Sequence, residues 1–394
     1  MRIAIFTEYY FPFISGVVTH IKTLRDELEK QGHKVMIVTT DPTAKFHYLK
    51  DGILYCPAKS VKQIYGYGVT SPISLKRFQY IKEFNPDIIH IQTEFSIGIF
   101  GMWVAKKLHK PIVYTLHTMY DDYTFYLFPE KFDKYAKPAT HVYFRNVAKQ
   151  ATEIIGPSLK VVEFLKRCGV TRHINVIPNI TDLTLFLPEN INYDKVAQVK
   201  QTYNIKDNDT VLCFVGRLGK EKSIDSLIEY FNENVGGNTA YKLIIIGDGP
   251  EAGYLKELSG KLNLQNQVFF AGKVDHNDIA AYYYASNLYA TASLTEMNSI
   301  SMLEAMASGL MVLQRFDVYN KDQITQGENG YMFNDCQEFG ELLSMFGGLS
   351  PEQREESRKK ASAVSRKYGP KEFIEKVINV YELAIHKYQI DHKK

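Results

Sequence analysis

Short apolar runs alternate along the chain with longer amphipathic stretches. RIAIF (2–6) is followed by a polar–apolar helix over about residues 17 to 31, stopped by Gly32, and then by KVMIVTT (34–40). DIIHIQ (87–92), PIVYTLH (111–117) and EIIGPS (153–158) follow, each separated by helical spacing. The pattern restarts with TVLCFVG (210–216), a helix over 223–235, YKLIIIGDG (241–249), a helix over 251–261, QVFFAG (267–272) and NLYATAS (287–293). Continuous apolar runs of strand length separated by helices predict parallel sheets covered on both faces. The expected class is α/β, with two Rossmann-like domains, 1–180 and 181–370, joined near VIPNITD (176–182) and facing each other across a cleft. A last helix over about 371–389 begins after Gly369-Pro370 and is expected to pack, with the tail to 394, back on the first domain. In such sheets ligands sit beyond the carboxyl ends of the strands, so chemistry is sought immediately after strands.

Composition adds limits. The 394 residues suffice for two cores, and 45% apolar with 23% charged residues is the balance of a globular chain. Residues 1–7 read as a strand rather than a secretory leader, and the longest nearly apolar run, 95–105, is about half the span of a bilayer. Cys56, Cys168, Cys213 and Cys336 are widely spaced and form no CxxC pair, which argues against zinc or a disulfide framework. The net charge of +3 is unevenly spread: residues 1–180 carry +9 and the remainder −6. A basic first half fits an anionic surface, though scattered solvated lysines give the same count. No nucleic-acid partner is expected.

Five segments hold candidate chemistry. Ser15-Gly16 opens a helix after the first strand, where free amides and a glycine let a phosphate approach; an ordinary strand–helix turn has the same signature. His117 ends a strand, where it can donate a hydrogen bond to a ligand, and Asp121 and Asp122 follow as caps or acceptor contacts. GRLGKEKSID (216–225) places Arg217 and Lys222 at a loop and helix start, suited to a diphosphate and to charge on its departure. GDGPE (247–251) has the wrong spacing for GxGxxG, so a nicotinamide enzyme fits poorly. In LTEMNSISMLEAMASG (294–309), Glu296 follows a strand and Glu304 lies within an apolar helix capped by Ser299 or Ser301. An unpaired carboxylate there would be costly to bury, so function is favoured over chance. Asp207-Asn208-Asp209 precedes its strand, at the sheet edge away from the cleft, and reads as a turn rather than a metal site.

Together these residues resemble glycosyltransferase family 4, retaining enzymes of the GT-B fold. The resemblance covers nearly the whole chain and rests on Glu296 and Glu304 within EMNSISMLEAMASG, on GRLGKEKSID, VIPN and GDGPE, and on the histidine of TLHT. It implies that Gly16, Arg217 and Lys222 hold a donor diphosphate, that Glu304 binds the ribose, and that the backbone near Lys273 faces the base. Glu296, His117 and the amides of Asn298, Ser299 and Ile300 would surround the transferred sugar. It further implies a UDP-sugar donor and a same-face reaction with no protein nucleophile, no cofactor and no metal. Met297, Asn298 and Ser299 stand where the family often has glycines, which leaves the sugar open.

IHIQTEFSIG (89–98) and LHTMYDDYTFY (116–126) bring the chain nearer to the bacterial diacylglycerol glucosyltransferases of this family. That likeness implies a lipid acceptor and a cytoplasmic enzyme held peripherally on the inner face of the cell membrane. The apolar loop YYFPFI (9–14), with Phe11 and Phe13, and the helix SLKRFQYIK (74–82), with Lys76, Arg77 and Lys82, would meet an anionic membrane. The same helix also reads as an amphipathic helix packed on its sheet. Transfer to a glycolipid or ceramide, a soluble polysaccharide transferase, a sugar-nucleotide epimerase and a non-catalytic binding protein are the rival readings.

Overall fold

The computed structural model describes all residues except 12, 14, 62–66, 118–132, 319–320, 367–368 and 393–394. The chain forms two compact units, Met1–Ile180 with Pro370–Lys394, and Thr181–Gly369.

The strands of the first unit are β1 (Arg2–Phe6), β2 (Lys34–Asp41), β3 (Tyr48–Lys50), β4 (Ile53–Pro57), β5 (Lys59–Val61), β6 (Tyr67–Val69), β7 (Ile88–Ile91), β8 (Ile112–Thr115), β9 (Glu153–Gly156) and β10 (Asn175–Val176). Eight of them form one sheet in the order β10-β9-β8-β7-β1-β2-β4-β3, parallel except where β3 turns back along β4. Alternate residues of β1 serve opposite faces. Ile3 and Ile5 pack with Ile21, Leu24 and Leu28 of the Gly16–Lys30 helix, while Phe6 meets Phe100 of the Ser96–Leu108 helix at 6.0 Å. The Pro370–Asp391 helix adds Phe373, Ile374, Val377, Tyr381 and Ala384 to the first of these faces. Burying each such side chain contributes roughly 1.5–3 kcal/mol, which is why this helix belongs to the first unit although the chain reaches it last.

The second unit contains β11 (Thr210–Val215), β12 (Tyr241–Ile246), β13 (Val268–Gly272), β14 (Leu288–Thr291), β15 (Met311–Arg315) and β16 (Gly330–Phe333). They are parallel, in the order β13-β12-β11-β14-β15-β16. All six residues of β11 are buried. Leu212 and Phe214 join the core on one face, and Val211, Cys213 and Val215 that on the other. The strand order reverses between β11 and β14, and a crevice opens at their carboxyl ends. In the first unit the same reversal falls between β1 and β7. These are the two parallel, Rossmann-like halves that the alternation predicts.

Candidate active site

The loop after β11 carries Arg217 and Lys222. Lys220–Lys222 form a short 3-10 turn, and Ser223, at φ 48°, starts the Ile224–Val235 helix without a side-chain cap. Arg217 is ion-paired with Glu221, whose side chain is wholly buried. This loop is latched to the one after β12: Leu218 N donates to Asp248 O at 3.0 Å, and Glu251 N donates to Leu218 O at 3.0 Å. Gly247 has φ 139°, and a Cβ on it would stand 1.8 Å from Gly216 O. GDGPE therefore braces the Arg217 loop and needs glycine for that approach.

Across the strand reversal, the loop after β14 presents Glu296. Its Oε1 lies 2.7 Å from Lys222 Nζ, with both side chains largely buried. Beyond it, Ser299 caps the Ile300–Ala307 helix by accepting from Met302 N at 3.4 Å. Ser301 is not the cap; its hydroxyl pairs with Tyr289 OH at 2.9 Å. The Ser299 backbone is held twice by one side chain. Its N–H donates to Gln323 Oε1 at 2.9 Å, and its carbonyl accepts from Gln323 Nε2 at 2.7 Å. This corrects one expectation: the Ser299 amide is already committed and is not available to a sugar. Ile300, at the first helical position, has no intrahelical acceptor for its N–H. Asn298 beside it is buried.

Glu304 is the fifth residue of that helix and is 3% exposed. Its Oε1 meets His276 Nε2 at 2.9 Å and its Oε2 lies 3.4 Å from Tyr283 OH. The hydrogen bond to Glu304 raises the His276 pKa against the opposing effect of burial, and Asp275 and Asp182 add to the rise. Lys273, just past β13, is exposed. The two carboxylates are thus separately provided for, Glu296 by a lysine and Glu304 by a histidine.

In the first unit, Ser15 caps the Gly16–Lys30 helix through Val18 N at 3.3 Å, and Gly16 is exposed at its start. His117 Nε2 bonds to Gln92 Oε1. That oxygen only accepts, so Nε2 carries the proton. Burial pushes the His117 pKa down to about 4, with the Asn179 side chain acting the other way. His117 is thus held by Gln92 just past the end of β8, where the sequence places it. Its ring also packs on His20 at 4.9 Å.

The crevice between β1 and β7 is filled by the chain itself. Glu8 accepts from Thr93 Oγ1, Ser96 Oγ and Ile97 N, closing the start of the Ser96–Leu108 helix with a carboxylate. Burial raises the Glu8 pKa despite these donors.

Arg77 also departs from expectation. It shares the inward face of the Leu75–Phe84 helix with Ile81 and is fully buried. Its guanidinium lies 4.3 Å from the Phe100 ring centre and donates to Ser71 O. A cation stacked on an aromatic face inside the unit cannot meet a membrane. Lys76 and Lys82 are exposed on the outer face, as is Phe11, while Phe13 is half-buried. Asp121 lies outside the described residues. His276, Gln323, Gln92 and Glu8 were not singled out by sequence reasoning. For His276 the available signal is its place at a helix start directly after β13, and for Gln323 there is none nearby.

The halves with this strand order, and cations and carboxylates gathered at the reversal of the second, define a nucleotide-sugar transferase of the GT-B class. Residues 14–185 match the family described as Glycosyltransferase Family 4, and residues 196–362 match Glycosyl transferases group 1. An alpha-monoglucosyldiacylglycerol synthase of Streptococcus pneumoniae is 32% identical over 334 residues, 84% of this chain and 75% of the relative. One from Acholeplasma laidlawii is 31% identical over 343 residues, 86% of each. The crystal structure of Anabaena HepE in complex with UDP-glucose shares the fold, with TM-score 0.73 and 17% identity over 96% of this chain and 98% of that one. The chain belongs to glycosyltransferase family 4.

Proposed function

We propose that this transferase moves glucose, with retention, from UDP-glucose to diacylglycerol at a membrane surface. The observation that carries the donor assignment is the contrast between the two strand reversals. The first is occupied by the buried Glu8 side chain, which closes the helix start; the second carries the cations Arg217 and Lys222, each paired with a carboxylate that a diphosphate can displace. The two bacterial relatives are named for an α-glucosyl diacylglycerol product, which supports glucose as the sugar and diacylglycerol as the acceptor.

In this reading the diphosphate binds at Arg217 and Lys222, and Glu304 accepts from the ribose hydroxyls. The bond from the sugar's anomeric carbon to the diphosphate oxygen breaks. The acceptor oxygen bonds to the same face, and its proton passes to the departing phosphate. Negative charge grows on the diphosphate as this happens, so two fixed cations stabilise the transition state more than the bound donor. Those cations fill the role that a metal would otherwise take, and the proposed reaction uses no cofactor.

Among the described residues, no helix is long and apolar enough to cross a membrane. We place the contact with an anionic inner leaflet at exposed Phe46, Ile73 and Leu75, with Lys45 and Lys76 beside them. Burial lowers the pKa of His47, beside Phe46, and the charges of Arg77 and Lys76 lower it further. Apolar side chains flanked by lysines suit such a surface, each cation contributing about 1 kcal/mol.

The deciding experiment crosses UDP-glucose, UDP-galactose and UDP-N-acetylglucosamine with diacylglycerol, a monoglycosyl lipid and ceramide. An α-glucosyl diacylglycerol product is expected. Transfer to soluble saccharides without any lipid product would overturn the reading.

A further inference from the structure

Glu304 sits in the middle of an apolar helix, and its carboxylate must be aimed before it can accept from a ligand. Oε1 is 2.9 Å from His276 Nε2. Oε2 is 3.4 Å from Tyr283 OH, whose proton has a shorter partner in Ser301 O at 3.1 Å. The imidazole is therefore the main restraint on the carboxylate. It is itself well held. His276 begins the His276–Ala285 helix, whose cap Asp275 accepts from Asn277 N at 2.9 Å, and the Phe186 ring meets the imidazole edge-on at 5.6 Å. The charged and titratable groups acting on this ring are Glu304, Asp275 and Asp182, and Tyr283 faces the same carboxylate.

We infer that His276 is a positioning residue, which fixes Glu304 Oε1 so that the remaining lone pairs of the carboxylate point at the donor ribose. The inference rests on Glu304 as the ribose-binding group of the proposed function. A carboxylate has about four acceptor sites, and a single strong donor at one oxygen leaves the others open while removing the freedom to rotate. Without the imidazole, Glu304 would keep its burial and lose its orientation.

The test compares His276→Gln, which keeps an N–H of similar reach, with His276→Phe, which keeps the ring's bulk and no donor. Binding of UDP and of 2′-deoxy-UDP is measured for both variants and for the wild type, with thermal melting alongside. His276→Phe should weaken UDP binding about ten-fold and shrink the penalty for the missing hydroxyl to about two-fold, while His276→Gln stays within about two-fold of wild type. A purely structural role would lower the melting temperature of both variants and leave the hydroxyl penalty unchanged, which overturns the inference. Glu304→Ala separates the two levels. If it leaves UDP binding intact, the donor reading falls and takes this one with it. If it weakens binding while His276→Phe does not, the positioning role alone is wrong.

Discussion

Lys222 Nζ lies 2.7 Å from Glu296 Oε1, so one ion pair joins the two loops that flank the strand reversal of the second unit. A diphosphate arriving at Lys222 competes with Glu296 for the ammonium group. Glu296→Gln removes the competing charge and should tighten UDP binding about three- to ten-fold, the net worth of about 0.7–1.4 kcal/mol at Lys222. If Glu296 also faces the sugar, turnover should fall by on the order of 100-fold in the same variant. Calorimetry with UDP and initial rates on lipid acceptor read the two effects separately. Weaker UDP binding in Glu296→Gln would mean that the pair organises the phosphate site instead of guarding it.

Gln323 holds both backbone polar groups of Ser299. Gln323→Ala strands a buried donor and a buried acceptor, at about 1–3 kcal/mol. In a unit spanning Thr181–Gly369, where each kcal/mol is worth about 2–4 °C, that corresponds to a fall of about 2–12 °C in its melting temperature. The donor KM should rise with it, because Ser299 caps the helix that carries Glu304. An unchanged KM alongside a lowered melting temperature would confine Gln323 to stability.

The strands were legible where both faces are buried, because β11 and β12 then carry the unbroken apolar runs VLCFV and LIII. Short strands at the sheet edge, such as β3 with all three residues exposed, leave no such trace. The helical glutamate was legible by cost alone, since Glu304 is a charge among MLEAMA. Its partner was not: His276 lies 28 residues away, and Gln323 lies 24 residues from Ser299. Nothing local encodes either meeting. Arg77 was misread for a related reason. Beside Lys76 it looks solvated, and only the Phe100 ring brought over it by another helix explains why it is inside.

Separating Lys76 from Arg77 makes the membrane reading testable. Lys76→Glu should leave the melting temperature unchanged and reduce sedimentation with anionic vesicles at low salt, with a smaller difference at high salt. Arg77→Glu reverses a buried charge and should destabilise the first unit by about 3–5 kcal/mol, irrespective of lipid. Vesicle binding by Lys76→Glu equal to wild type at low salt would remove the helix from the contact surface.

The buried histidines of the first unit and His276 of the second titrate in opposite senses. Burial pushes His90 down to about 3 and His117 to about 4, and lowers His20 as well. A histidine held neutral in the fold contributes stability above its unfolded pKa, about 6.5, that is lost as pH falls toward the folded value. The first unit should therefore melt at progressively lower temperature between about pH 6.5 and pH 4. His276 has a raised pKa, so its stabilising charge is fully present below about 6.5 and disappears as pH rises through the folded value. Loss of that charge weakens its hold on Glu304 without removing the N–H donor, so the donor KM should climb by no more than about two-fold on the alkaline side. His276→Gln should flatten that alkaline rise in KM and leave the acid melting curve unchanged. His117→Asn should soften the acid limb and leave the alkaline one. An alkaline rise that survives in His276→Gln would assign it to another group, and the proton on His276 would then have no part in donor binding.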